Sequence, residues 1–313
     1  KRWVKPSAAS RATVIFTGSR HWSSRPPPGD RGTSTGEALA MTDTMPRPTM
    51  VAGQFYPASP RALAQAVRTF LDTATVEPAP ERVRALVVPH AGYVYSGQTA
   101  GFAFRRIEGK RPSRAVLLGC SHRYPIFRAS VYTGSRFESP LGDFPVDRDF
   151  AHDLAEVTGS RSIEPHLPEH ALEVQLPFLH AACGGPVPLV PVLFGSHSPW
   201  HADLGKKLAA LLDPGDLVLA STDLSHYLSQ QRAAEIDART IEAVLSKDTD
   251  AFGRGIDESR YSMCGSTAVI CAMAFATAAG ASFWQLLDYR TSANASGDCT
   301  RVVGYAAISM ETV

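Results

Sequence analysis

The sequence predicts a single α/β domain with a mostly parallel central sheet flanked by helices. Short, uninterrupted apolar runs at 85–88, 115–118 and 217–220 are typical of strands buried on both faces, as in parallel sheets. Segments with a helical spacing of apolar residues separate these runs, which is the pattern of a layered α/β fold. The chain has 313 residues, of which 44% are hydrophobic and 19% charged, so a fully disordered or fibrous protein is excluded.

Each further element is predicted from its own apolar pattern, in chain order. The first helix is indicated by residues 63, 66, 67, 70 and 71, which keep the spacing of one helical face. Further helices are expected at 97–107, 149–157, 170–182, 200–212, 230–246 and 265–279. Further strands are expected at 187–194, 283–289 and 301–309.

Residues 48–313 are expected to form this domain, whereas residues 1–47 are predicted to be a disordered or non-native leader. The leader is rich in Ser, Thr, Arg, Pro and Gly and keeps no apolar period, so it cannot bury enough surface to offset its ordering entropy. Its Arg-rich and Ser-rich composition also suits a transit peptide. The first methionines are Met41 and Met45, and either could begin the functional protein.

Charge and cysteine content exclude several classes of protein. The 31 Lys and Arg residues nearly balance the 30 Asp and Glu residues, so the composition does not indicate nucleic-acid binding. The five cysteines are widely spaced without a C-x-x-C motif, which excludes a small disulfide scaffold and favours a reducing, cytoplasmic location. The uncharged stretch 261–287 contains Gly, Ser, Thr and Gln, and is predicted to be a buried helix and a strand rather than a membrane span.

Three predicted strands end in segments that carry histidine. His90 follows the first apolar run, His122 follows the second, and Asp223 with His226 follows the third. Because the carboxyl ends of parallel strands lie at one edge of a sheet, these side chains are expected to converge and to form a metal site. For each histidine alone, a structural hydrogen-bonding role is the alternative. Four neighbouring tyrosines could orient the imidazole rings or simply pack: Tyr93, Tyr95, Tyr124 and Tyr227.

Cys264 is the cysteine whose context most clearly indicates chemistry. It immediately precedes the helix predicted at 265–279, and a helix N-terminus stabilises a thiolate. The thiolate could ligate a metal, or the thiol could be buried and inert. Cys120 lies two residues before His122 but is predicted to be a packing residue at the end of a strand.

Two literal motif matches are rejected on structural grounds. The H-x-x-E-H pattern at 166–170 is a zinc motif only when both histidines lie on one continuous helix, and Pro168 would lie in its interior. Pro168 instead suits the first turn of a helix, near which His170 and Glu173 remain candidate site residues. The G-x-S-x-G pattern at 32–36 lies in the polar leader without a strand before it.

Six segments in this order resemble the MEMO family, whose bacterial members are called AmmeMemoRadiSam system protein B. They span nearly all of residues 50–309: A-G-Q-F-Y-P at 52–57, P-H-A-G-Y at 89–93, G-C-S-H at 119–122, E-H-A-L-E at 169–173, S-T-D-L-S-H at 221–226 and M-C-G at 263–265. The family is similar in fold to class III extradiol dioxygenases of the LigB type, which are non-haem iron enzymes.

The resemblance implies a crevice that binds iron or copper through two histidines and a cysteine, here His90, His122 and Cys264. It also implies that His226 and Asp223 lie nearby. We interpret His226 as a further metal ligand, and His170 and Asp223 as candidate catalytic residues. A thiolate in place of the carboxylate of a dioxygenase is softer, which favours Cu(I), Zn or a redox-active iron.

Three functions remain open at this point. The first is a metal-dependent oxidoreductase of a dioxygenase-like kind. The second is a non-catalytic binding or regulatory protein with a vestigial site; the resemblance implies radical SAM and AMMECR-like protein partners for prokaryotic relatives, and phosphotyrosine-containing peptides for animal ones. The third is a metal-assisted hydrolase that uses bound water as its nucleophile.

Overall fold

A computed structural model describes residues 44–158, 160, 162–195 and 200–313. Most of the leader predicted at 1–47 lies outside the described residues, as does the G-x-S-x-G pattern at 32–36.

The described chain contains strands and helices in the alternation that the apolar pattern predicts. The strands are β1 Pro46–Arg47, β2 Val83–Val88, β3 Ala115–Cys120, β4 Ala129–Val131, β5 Arg136–Phe137, β6 Phe144–Pro145, β7 Leu189–Phe194, β8 Leu217–Ser221, β9 His226–Leu228, β10 Phe283–Thr291 and β11 Val302–Glu311. The α-helices are α1 Pro60–Thr73, α2 Tyr93–Arg106, α3 Arg148–Thr158, α4 Leu176–Cys183, α5 Trp200–Leu211, α6 Gln230–Leu245, α7 Thr249–Asp257, α8 Ser266–Ala278 and α9 Ala293–Ser296.

The central sheet has the strand order β10-β11-β2-β8-β3-β7-β4, and β9 pairs with β11. The four central strands β2, β8, β3 and β7 are parallel, and the antiparallel pairings lie towards its two edges. All six residues of β2 are buried, and this strand contacts both α2 and α8. The predicted α/β fold with helices flanking the sheet is therefore confirmed.

One predicted helix differs from the observed chain. Residues 170–182 were expected to form a single helix, but a short 3-10 turn at Glu173–Gln175 precedes α4. Pro177 lies in the first turn of α4, where its missing N–H costs nothing. Residues 169–172 therefore remain in a loop beside the sheet edge.

Among the described residues, no helix is both long and apolar enough to cross a membrane.

A buried ion pair joins the beginning of the described chain to this loop region. Arg47, which the sequence analysis assigns to the leader, lies in β1, and β1 pairs with β5. Its guanidinium contacts the carboxylate of Glu173, and both side chains are 0% exposed. Glu173 also accepts hydrogen bonds from the backbone N–H of Met50 and Val51 and from the Tyr56 hydroxyl. The fold therefore includes Arg47, and Glu173 has a structural role rather than a place in the site.

A second buried polar residue, His166, lies in the 3-10 turn Glu164–His166 rather than in a zinc-binding helix. Its Nε2 donates to the carbonyl oxygen of Ser130 at 3.1 Å, and its Nδ1 finds no partner among the described residues. Burial lowers the pKa of His166 to about 3. The ring is therefore held neutral in the core, which agrees with the rejection of the H-x-x-E-H motif.

We predict that Glu173→Gln lowers the free energy of unfolding by about 3–5 kcal/mol, because it leaves the buried charge of Arg47 without its partner. Denaturant unfolding measures this loss. Tyr56→Phe is the matched control, since it removes only one hydrogen bond to the same carboxylate and should cost less, about 1.5–3 kcal/mol. Equal, small losses in both variants would contradict the role of the ion pair.

We also predict that the protein loses stability as pH falls from about 6.5 towards 3 because of His166. In that window the unfolded chain binds a proton that the folded core excludes, so the unfolding free energy falls by at most about 1.4 kcal/mol per pH unit. His166→Gln keeps a donor for Ser130 without titrating, and should show a shallower loss between about pH 6.5 and 4.5. Parallel curves for the two proteins would refute this assignment.

Candidate metal centre

The site lies where the parallel strands β2, β8 and β3 end side by side. His90 follows β2 after one intervening residue, and His122 follows β3 in the same way. The loop after β8 carries Asp223, whose carbonyl oxygen accepts a hydrogen bond at 3.2 Å from the backbone N–H of Cys264, shortly before α8. Three strand ends and one helix start thus converge at one edge of the sheet.

Four side chains present metal-ligand atoms to one another at this edge. They are His90, Cys120, His122 and Cys264, and their ligand atoms all lie within 4.8 Å of one another. The Cys264 sulfur is 3.2 Å from Nε2 of His90, and the Cys120 sulfur is 3.5 Å from Nε2 of His122. Cys120 was expected to be a packing residue, but its sulfur belongs to this group.

The hydrogen bonds on the Nδ1 side of His90 determine which ring nitrogen faces the thiols. Nδ1 of His90 lies 3.0 Å from the hydroxyl of Ser221, which donates its own proton to the carbonyl oxygen of Ala171 at 2.7 Å. Because the hydroxyl has one proton to donate, it must accept from His90. His90 therefore carries a proton on Nδ1, and Nε2 is the nitrogen that can offer a lone pair to a metal.

Glu169 orients His122 in the same way. Its carboxylate accepts from Nδ1 of His122 at 2.9 Å and from the backbone N–H of His122 at 2.6 Å. The backbone N–H groups of His170 and Ala171 also donate to it, each at 2.9 Å. Burial opposes ionisation, but the hydrogen bonds from His122 outweigh it and lower the pKa of Glu169 to about 2. Nε2 of His122 is consequently left to face the sulfur atoms.

In the metal-free state, the side chains of the cluster shift one another's pKa values towards their charged forms. A hydrogen bond from Cys120 and the two imidazoles hold the pKa of Cys264 well below its usual range, although burial opposes them. Burial lowers the pKa of His90, but the charges of Cys264 and Asp223 outweigh the effect of burial and raise this pKa to about 9. Hydrogen bonds with Cys264 and Glu169 raise the pKa of His122 to about 10. A thiolate therefore sits between two imidazolium rings, whose Nε2 protons an arriving cation would displace.

His170 packs against both histidines of the cluster. Its ring stacks on His122 with centroids 4.7 Å apart and lies 5.4 Å from the ring of His90. His122, Glu169 and His170 also form a second group of convergent ligand atoms. Burial and the charge of His90 lower the pKa of His170 to about 4, so its imidazole is neutral and can accept a proton.

Asp223 supports the site from the β8 end, whereas His226 lies three residues farther along the chain. Asp223 is buried, and its carboxylate accepts the backbone N–H of His90 at 2.8 Å, which fixes the loop that carries the His90 ring. Burial raises the pKa of this carboxyl. His226 begins β9, where it pairs with Val303 of β11. It is not among the groups of convergent ligand atoms found in the described part of the chain.

The neighbouring tyrosines do not orient the two ligand rings. Ser221 and Glu169 bind their Nδ1 atoms, and the Tyr93 hydroxyl instead donates to the carbonyl oxygen of Val174 at 2.7 Å.

A cavity of about 650 Å³ opens beside the cluster. Both sulfur-bearing residues, Cys120 and Cys264, line it together with Tyr124, Ile126 and Phe127. Phe127 is 83% exposed, so the mouth of the cavity presents an aromatic surface to solvent. The cluster is thus reachable from outside the protein.

Comparisons with known proteins identify the family. The family model described as "Memo-like protein" matches residues 47–309. The chain is 34% identical over 278 residues to a MEMO1 family protein of Methanopyrus kandleri, covering 84% of this chain and 98% of that protein. It is 35% identical over 280 residues to a MEMO1 family protein of a Thermotoga species, covering 83% and 98%.

Among solved structures, an uncharacterized protein of Escherichia coli K12 matches with a TM-score of 0.49 and 13% identity, over 73% of this chain and 100% of that one. The family model and the relatives confirm the resemblance drawn from the six sequence segments. The chain belongs to the Memo-like protein family.

Proposed function

We propose that this protein binds one redox-active metal ion, iron or copper, in the cluster of His90, His122, Cys264 and Cys120. The observation that carries the proposal is the orientation of the two imidazoles. Each has its Nδ1 held by an oxygen atom, of Ser221 or Glu169, and each turns Nε2 towards a cysteine sulfur. Such outer partners fix the tautomer of metal-binding histidines and make them better ligands.

The distances within the cluster fit a coordination sphere. Metal–sulfur bonds of about 2.3 Å and metal–nitrogen bonds of about 2.0–2.1 Å place tetrahedral sulfur and nitrogen ligands about 3.5 Å apart. The two sulfur–nitrogen distances of 3.2 and 3.5 Å lie close to this value before any rearrangement. The residues present therefore fit a metal ion.

The type of donor narrows the choice of metal. A dioxygenase site has two histidines and a carboxylate with open positions, whereas this cluster offers two imidazoles and two sulfur atoms. Soft sulfur ligands favour Cu(I) over hard cations. A hydrogen bond with Cys264 and burial raise the pKa of Cys120, which makes its sulfur the weaker donor of the two.

When bound, such an ion would supply electron transfer to or from a substrate or O₂. The residues of this chain supply the rest. His170, neutral and stacked on His122, is placed to accept a proton from a substrate hydroxyl in the crevice. Asp223 is a positioning residue that holds the His90 loop. Tyr124 and Phe127 offer an apolar, aromatic wall for the substrate in the adjoining cavity.

The exposed aromatic mouth favours a second candidate function, that of a binding or regulatory protein. Phe127 is 83% exposed and Tyr124 is 45% exposed beside the cavity. Large exposed aromatic side chains are typical of surfaces that contact partners. Radical SAM and AMMECR-like proteins, which the family resemblance implies as partners, are then the candidates.

We predict that anaerobically purified protein holds near-stoichiometric iron or copper and that Cys264→Ser loses most of it, because serine replaces the thiolate donor. Elemental analysis measures the content. Cys271→Ser is the matched control, since this thiol is fully buried in α8, outside the cluster, and its replacement should leave the metal content unchanged.

Unchanged metal content in Cys264→Ser, with a folded protein by circular dichroism, would contradict the assignment of this ligand. Oxygen uptake by the loaded wild-type protein would favour a redox enzyme. Bound metal without oxygen uptake or any redox turnover would favour the binding protein.

A further inference from the structure

The two sulfur atoms of the cluster lie next to each other as well as next to the imidazoles. The sulfur atoms of Cys120 and Cys264 are within 4.8 Å, and both cysteines are free thiols. A disulfide needs a sulfur–sulfur distance of about 2.05 Å. To bond, the two sulfur atoms would have to move closer together by at most about 2.8 Å. The cavity lined by both residues gives small molecules access to them.

We propose that Cys120 and Cys264 form a reversible disulfide when the metal-free protein meets hydrogen peroxide. This adds a thiol oxidation site to the metal-binding role. The disulfide itself depends only on the two sulfurs and their access to solvent. Its competition with a metal ion rests on the proposed function, because bonding the sulfurs to each other removes both as thiolate donors.

Cys264 is the attacking residue of the pair. Its sulfur accepts a hydrogen bond from the backbone N–H of Asp223 at 3.3 Å. N–H groups directed at a sulfur stabilise its anion, which is the nucleophile in thiol oxidation. Cys264 is half-buried, whereas Cys120 is buried. Cys264 therefore meets the peroxide first, and Cys120 is the resolving thiol.

The chemistry proceeds in two balanced steps. The Cys264 thiolate attacks one peroxide oxygen, the O–O bond breaks, and the leaving hydroxide takes a proton to become water, which leaves a sulfenic acid on Cys264. The Cys120 sulfur then attacks the sulfenic sulfur, the S–O bond breaks, and the departing hydroxide takes the proton of the Cys120 thiol and leaves as water. Two thiols are oxidised by two electrons, and one peroxide is reduced to two water molecules.

The other cysteines are poorly placed to compete. Cys183 and Cys271 are buried in the hydrophobic core, and Cys299 is exposed on a separate surface segment after α9. Burial keeps peroxide away from Cys183 and Cys271, and Cys299, although exposed, does not belong to a group of converging ligand atoms in the described part of the chain. A disulfide confined to Cys120 and Cys264 is therefore the expected product.

The test exposes the chelator-treated full chain to a small excess of hydrogen peroxide and records its intact mass. The wild type should lose two hydrogens, and non-reducing peptide mapping should assign the crosslink to Cys120 and Cys264; dithiothreitol should restore the original mass. Cys120→Ser should stop at a sulfenic acid that dimedone labels at Cys264. Cys264→Ser should form neither product, and Cys271→Ser should behave like the wild type.

Sulfinic or sulfonic acid on wild-type Cys264 without a crosslink, or a crosslink that involves other cysteines, would overturn the proposal. Loading the protein with Cu(I) before anaerobic addition of diamide, a thiol oxidant, separates this result from the metal assignment. If bound Cu(I) prevents the disulfide, the same two sulfur atoms bind the metal and form the disulfide. If the disulfide forms equally fast with copper bound, the copper lies elsewhere, and this would refute the proposed metal ligands but not the disulfide. If copper binds but the metal-free protein forms no disulfide, this would refute the disulfide but not the metal ligands.

Discussion

The hydrogen bonds accepted by the carboxylate of Glu169 hold the rest of the site in place. This carboxylate binds both Nδ1 and the backbone N–H of His122, and also the N–H groups of His170 and Ala171. It thereby joins the loop after β3 to the loop before α4. Ala171, held in this way, presents the carbonyl oxygen that accepts a hydrogen bond from the Ser221 hydroxyl, and that hydroxyl in turn accepts one from Nδ1 of His90. One buried carboxylate thus controls, directly or through one further residue, the orientation of both imidazoles.

The sheet supplies the framework that makes this arrangement rigid. The neighbouring strands β2, β8 and β3 are parallel and buried, so their ends hold the two histidines and the Asp223 loop in fixed relation. The buried pair of Arg47 and Glu173 anchors the loop that carries Glu169 from the other side: the Arg47 guanidinium also binds the carbonyl oxygens of His166 and Glu169. The same residues therefore contribute to stability and to the geometry of the site. For this reason the charge of Arg47, although outside the cluster, affects how the cluster is held.

Much of the fold and part of the site could be predicted from the sequence. The apolar runs identified β2, β3 and β8, and the rule that parallel strand ends share an edge placed His90 and His122 together. Cys264 was found because it precedes an uncharged helix. Cys120 was missed, although residues two apart on an extended chain share a face, and this spacing from His122 was the available signal. His226 was proposed as a ligand from its place in the S-T-D-L-S-H segment, and this stays a prediction; it begins β9 and is not in the convergent groups found among the described residues.

Glu169 and Arg47 could not be assigned from the sequence for a different physical reason. Their partners lie far along the chain, His122 for one and Glu173 for the other, and no local pattern encodes such contacts. Arg47 also follows a polar segment whose composition indicates no fold. Long-range pairing of buried charges emerges only once the strands are assembled.

X-ray absorption at the metal edge of the loaded protein tests the central claim most directly. We predict sulfur scatterers at about 2.3 Å together with imidazole nitrogens at about 2.0 Å, with the sulfur contribution reduced but still present in Cys120→Ser. A first shell of only nitrogen and oxygen atoms would show that the thiols are not ligands, and would contradict the cluster of His90, His122, Cys264 and Cys120 as the metal centre.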